Sequence, residues 1–131
     1  MMDGYRIILF LLALSAGLAG CSGIDGGATT TEREFNDISN QTAKERALTA
    51  ESDYVSRVLS NASCLTNFDT TISPESEAQI INRSQRGIFV DVSFLYSYET
   101  DTVEADVGTL PIYRITDNRT VRVEGDSIEP C

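Results

Sequence analysis

The chain has 131 residues, with 20 Asp plus Glu against 10 Lys plus Arg, no Trp and no His, for a net charge of −10. The length fits a single domain. Such an acidic surface repels nucleic-acid phosphates and excludes that partner. The absence of His removes the commonest general base and metal ligand. Apolar residues make up 41%, more than a wholly disordered chain carries.

Met1 to Arg6 is a short polar start with one cation, Arg6. An apolar run from Ile7 to Gly17 follows and ends in Leu18-Ala19-Gly20-Cys21. A charged start, a short apolar stretch and small residues before a cut site define a secretory signal peptide over residues 1–20. The Cys placed directly after Leu-Ala-Gly resembles a lipoprotein signal. That resemblance implies a diacylglyceryl group on the Cys21 thiol, cleavage before Cys21, and a protein held on the outer face of the cytoplasmic membrane. Plain secretion and a retained span are the competing readings. The run is shorter than the roughly 20 residues a spanning helix needs. Arg6 stands alone, so the general secretory route is expected rather than the twin-arginine one.

Residues 21–40 are polar and rich in Gly and Thr, and they read as a flexible tether. The domain is expected over residues 41–131. Thr42-Ala43-Lys44-Glu45 has the spacing of a capping box. After it, Ala47, Leu48, Tyr54, Val55, Val58, Leu59 and Ala62 recur at helical spacing, which predicts one helix over about 43–63. Glu51, with Arg46, Ser52, Ser56, Arg57 and Ser60, falls between those positions and reads as solvated.

Residues 66–76 are expected to be a loop, with Ser73-Pro74-Glu75 able to cap a short helix. A strand is expected over 77–84. From Gly87 onward, Ile88, Val90, Val92, Phe94, Tyr96 and Tyr98 alternate with the intervening residues, which predicts a long half-buried strand. Thr100-Asp101 makes a turn, and a third strand runs near 102–107. Gly108 and Pro111 mark a break, because Pro cannot donate to a ladder. Leu110 to Thr116 continues the strand. Asp117-Asn118-Arg119 is a turn, and Val121 and Val123 belong to a last short strand. The expected fold is α+β: one helix across three or four strands of an antiparallel meander, since the connections are too short for parallel crossovers.

With Cys21 assigned to lipid, Cys64 and Cys131 remain as a pair. An even pair in an exported chain reads as a disulfide. No Cys-x-x-Cys is present to suggest redox chemistry.

Nine of the ten cations are Arg, Lys44 is the only Lys, and acids spread from Asp25 to Glu129. Dispersed acids with almost no Lys resemble the proteins of salt-loving archaea. Leu18-Ala19-Gly20-Cys21, Cys64, Gly87 to Val92, Tyr96-Ser97-Tyr98, Tyr113 to Thr116, Val121 to Asp126 and Pro130-Cys131 together are similar to short haloarchaeal lipoproteins. The resemblance implies an envelope location and no particular activity.

Four chemical readings follow. Glu99, Asp101, Glu104 and Asp106 gather near one hairpin tip, but their spacing matches no calcium loop, so a solvated acidic turn is the expectation over a metal site. Tyr96, Tyr98 and Tyr113 can meet across neighbouring strands, as core packing or as a platform for sugars or peptide chains. Asn40, Asn61, Asn82 and Asn118 head glycosylation sequons, with Asn118 best placed on a turn and Asn61 hindered by its helix. Carboxylate pairs stay open as a route to acid–base catalysis, since their spacing in a fold is not readable from sequence, while nucleophile elbow, phosphate loop and a His-assisted nucleophile are all missing. No catalytic, cofactor or metal residue is assigned. The expected function is a non-catalytic envelope binding or interaction module, with an envelope protein or glycan as partner. The alternatives are a carboxylate enzyme acting on a glycan and an accessory ligand-binding lipoprotein of a transporter.

Overall fold

The computed structural model of the chain describes residues 37–131. The expected signal peptide of residues 1–20, the expected lipidation site Cys21 and most of the expected tether lie outside the described residues. Residues 37–40, expected to belong to the tether, are part of the domain.

The helix, α1, spans Asn40–Ser60. It starts and ends about three residues earlier than its apolar pattern suggested. Ser39, not Thr42, is the N-cap: its Oγ accepts from the Thr42 backbone N–H at 3.0 Å. A Ser at this position satisfies one of the otherwise orphan donors of the first turn. The cap stands four residues ahead of Ala43, where the buried stripe begins. That stripe is Ala43, Ala47, Glu51, Val55 and Leu59, a strict repeat of four.

Six strands follow, where three or four were expected: β1 Leu65–Asp69, β2 Glu77–Ser84, β3 Gly87–Thr100, β4 Glu104–Thr109, β5 Ile112–Ile115 and β6 Thr120–Glu124. The unforeseen strand is β1, taken as loop because it has no alternating pattern. Its ladder is set by β3, where Phe68 lies opposite Tyr98. Ser73 to Ser76 forms a turn rather than a helix, with the Ser76 N–H donating to the Ser73 carbonyl at 3.1 Å.

All pairings are antiparallel, and β3 is central to them. On one side it meets β2 along its first part and β1 along its last. On the other it meets β5 and β4, and β6 flanks β5. The register of β3 with β4 continues into β5 without a slip, from Glu99 opposite Glu104 to Ile88 opposite Ile115. Leu110-Pro111 interrupts the ladder, but the Pro111 carbonyl still accepts from the Val92 N–H at 2.9 Å. The expected break at proline is therefore real, and the strand resumes beyond it.

Alternation along β3 sends Ile88, Val90, Val92 and Phe94 into the core, where all four are fully buried against α1. Tyr113, Ile115 and Ile128 complete this core. Gly87 opens β3 at φ 133°, and a Cβ there would sit 2.8 Å from the Ile115 carbonyl oxygen. Only glycine allows this close approach of the β2–β3 turn to β5. The disulfide joins Cys64 to Cys131 with a Cα–Cα distance of 5.9 Å. It closes 67 residues around the whole sheet. In the chain-entropy account such a loop contributes about 4 kcal/mol.

Candidate functional site

One face of the sheet is covered by α1, and the other is open. The covered side holds a polar centre that the sequence pattern misplaced. Glu51 is not solvated; it is 0% exposed, in the middle of the apolar stripe of α1. Its Oε1 accepts from Thr109 Oγ1 at 2.7 Å and from Arg122 Nη2 at 3.3 Å. Its Oε2 accepts from the Tyr113 hydroxyl at 2.7 Å and from Arg122 Nε at 3.0 Å. A carboxylate has about four lone-pair positions, and all are filled by one bidentate guanidinium and two hydroxyls.

Arg122 is held from three sides. Glu51 takes its fork, the Asp126 carbonyl accepts from Nη2 at 3.1 Å, and the guanidinium lies 4.3 Å from the Tyr54 ring centroid. Gly125, at φ 156°, leaves room for it: a Cβ there would come within 2.5 Å of the guanidinium carbon. Burial works against the charge of Arg122, but the hydrogen bonds and field of Glu51 outweigh it and raise its pKa. Burial, then the Glu51 carboxylate, pushes the Tyr113 hydroxyl far above the ordinary tyrosine value. Among the described residues no buried side-chain polar atom lacks a partner. This centre ties α1 to β4, β5 and β6, and its only carboxylate has no acceptor left for a substrate.

The open side is different in character. A groove of about 520 Å³ lies between the β1–β2 connection and β4. Leu95 gives it an apolar floor, and Asp69, Glu75 and Asp106 stand around it. Tyr96 borders it only from the covered side, where its ring packs on the core. The Thr71 backbone N–H donates to Asp69 Oδ1 at 2.8 Å and holds that carboxyl below its usual range. On the covered side, burial raises the Tyr96 hydroxyl, with the neighbouring Tyr98 adding to the effect. Nearer the other end of the same face is a smaller hollow of about 280 Å³, lined by Ile81, Phe89, Ile112 and Val123 with Arg86 and Glu124 at its margin.

Of the three tyrosines expected to meet, two do. Phe94, Tyr96 and Tyr98 stack in series along β3, with centroids 6.5 and 6.4 Å apart. Tyr113 instead points to Glu51. Glu99 and Glu104 face each other at the hairpin end, and Asp106 lies opposite Ser97 toward the groove. Among the described residues no three carboxylates or cysteines are grouped to hold a metal ion. All four sequon asparagines are exposed. The Asn61 amide donates to the Arg57 carbonyl at 2.9 Å, and Asn40 Oδ1 accepts from Arg83 at 2.7 Å.

No described helix is long and apolar enough to cross a membrane. Comparison with protein families, with curated proteins and with solved structures returns no match.

The Glu51 centre was the part sequence reasoning missed. Its signal was present: residue 51 stands four positions after Ala47 and four before Val55, on the stripe itself. A charged residue there requires a buried partner. Arg122, set between Val121 and Val123 on β6, is that partner.

Proposed function

We propose that this protein is a lipid-anchored, non-catalytic binding module on the outer face of the cytoplasmic membrane, adapted to concentrated salt. The observation that carries the binding reading is the contrast between the two sheet faces. The polar groups of the covered side are consumed by one another, so nothing there is left to react. The open side presents a groove with an apolar floor and carboxylate walls. Such a surface suits an extended partner with hydroxyl or cationic groups, either a glycan or a segment of an envelope protein. The anchor reading rests on Leu18-Ala19-Gly20-Cys21, and a disulfide between the other two cysteines fits an exported chain. The similarity to haloarchaeal lipoproteins belongs to the same proposal, carried by dispersed acids and a single Lys.

Cross-linking in native membranes at molar salt, followed by mass spectrometry, tests this reading. The expected result is a reproducible partner linked through residues around the groove, lost on Leu95→Arg. Cross-links independent of the groove variant contradict it.

A further inference from the structure

Six of the eight described cations lie in three chain segments that converge at one end of the domain: Lys44, Arg46, Arg83, Arg86, Arg114 and Arg119. The convergence is seen in the contacts. Arg46 donates to the Thr116 and Arg119 carbonyls at 2.9 and 3.0 Å, joining α1 to the β5–β6 turn. Arg83 donates to the Ile38 carbonyl at 2.8 Å, joining β2 to the start of α1. Gly87 abuts Ile115, Arg114 and Thr116, joining the β2–β3 turn to β5. The carboxylates in these segments are Asp37, Glu45 and Asp117. Lys44, Arg86, Arg114 and Arg119 make no ion pair with a described carboxylate. The opposite end carries Glu99, Asp101, Glu104 and Asp106 around the β3–β4 hairpin. A strand of 14 residues separates the two ends, roughly 45 Å at strand rise. A chain this acidic thus keeps one cationic end.

Two further observations say what that end meets. The chain leading back to Cys21 joins the domain at Asp37 and Ile38, within this cationic end. Beside it on the open sheet face is the hollow with exposed Ile81 and Val123, 52% and 45% accessible, around Phe89 and Ile112. Arg86 borders this hollow, and Arg114 lies opposite Phe89. Glu124 and Asp91 are the acids beside it. Apolar side chains rimmed by arginines match the boundary between headgroups and acyl chains of an anionic bilayer.

We infer that the cationic end, with Arg86, Arg114 and Arg119 beside Ile81 and Val123, docks on the anionic lipid headgroups of the membrane that holds the anchor. The inference rests on the lipid-anchor reading above. In molar salt the Debye length is about 3 Å. The repulsion between the acidic body and the lipid is then screened, while guanidinium–phosphate pairs at contact distance persist. Docking leaves the acidic hairpin and its groove facing away from the membrane. It also requires Asn118, in the β5–β6 turn, to carry no glycan.

The test uses the mature lipoprotein purified from membranes and reconstituted at molar KCl into phosphatidylglycerol or phosphatidylcholine vesicles. Hydrogen exchange is read at Gln85, Arg86 and Asn118, with Val90 and Val92 as reporters of an intact fold. The expected result is exchange slowed about tenfold at the turns on phosphatidylglycerol only, and restored by combined Arg86→Gln, Arg114→Gln and Arg119→Gln with the core amides unchanged. Anchored protein with equal exchange in both lipids overturns the docking alone, as does a glycan on Asn118. Protein that fails to float with either vesicle, and whose intact mass has no lipid on Cys21, overturns the anchor and the docking with it.

Discussion

Glu51 is the residue on which the covered side depends. Breaking a buried ion pair from one side leaves the other charge without compensation, at a cost of about 3 kcal/mol or more. Glu51→Gln keeps the volume but loses the charge that holds Arg122, so urea unfolding is expected to show a loss of about 3 kcal/mol with an unchanged m-value. Tyr113 makes a second prediction at this scale. Its folded pKa lies above the ordinary value of 10.0. Its contribution to stability is therefore complete below pH 10 and is lost as pH rises above it, because the unfolded chain ionises first. Tyr96 shifts the same way. Stability is expected to fall above that pH by roughly 1 kcal/mol per pH unit for Tyr113 while its folded form stays protonated, with Tyr96 adding in the same direction. Denaturant midpoints measured across alkaline pH check this, and Tyr113→Phe is expected to flatten the slope. An equal slope in that variant contradicts the assignment.

The elements were legible to different degrees, for physical reasons. The even-numbered residues of β3 announce a half-buried strand because that strand has one wet face and one dry one. Ser84 and Gly87 bound a turn that both sequence and structure contain. β1 gave no such signal, since Thr66, Asn67 and Asp69 are exposed and its two inward residues, Leu65 and Phe68, stand three apart rather than two. Its strand conformation comes from β3, whose paired residues run from Thr100 opposite Leu65 to Ser97 opposite Asp69, about thirty residues on in the chain. The helix was visible, but its cap was set one turn too late because two Ser/Thr residues compete there. The site was least legible: Glu51 and Arg122 are 71 residues apart, and a charge on an apolar stripe is read as surface until its partner is known. Two predictions belong to the elements. Gly87→Ala forces a strained φ against the Ile115 carbonyl and is expected to cost about 1–3 kcal/mol. Replacing Cys64 and Cys131 together by Ser is expected to lower stability by about 4 kcal/mol. Thermal melts of each variant, with the reduced wild type as control for the second, measure both.

At the scale of the molecule, the uneven distribution of charge connects fold and location. The open groove, the cationic end and the acidic hairpin are arranged along β3, so one long strand orients the domain between bilayer and solvent in the proposed reading. The net charge of −10 repels itself at low salt. Stability is expected to rise with KCl as that repulsion is screened, and a melting temperature independent of salt would contradict the halophilic reading. The central claim is that export removes residues 1–20, lipid occupies Cys21, and Cys64 and Cys131 are bonded. The intact mass of the protein extracted from its own membranes, before and after reduction, tests it most directly. The account predicts a chain beginning at Cys21, heavier by a diacylglyceryl group, that gains two hydrogens on reduction. A chain still beginning at Met1 with three unmodified thiols would contradict it.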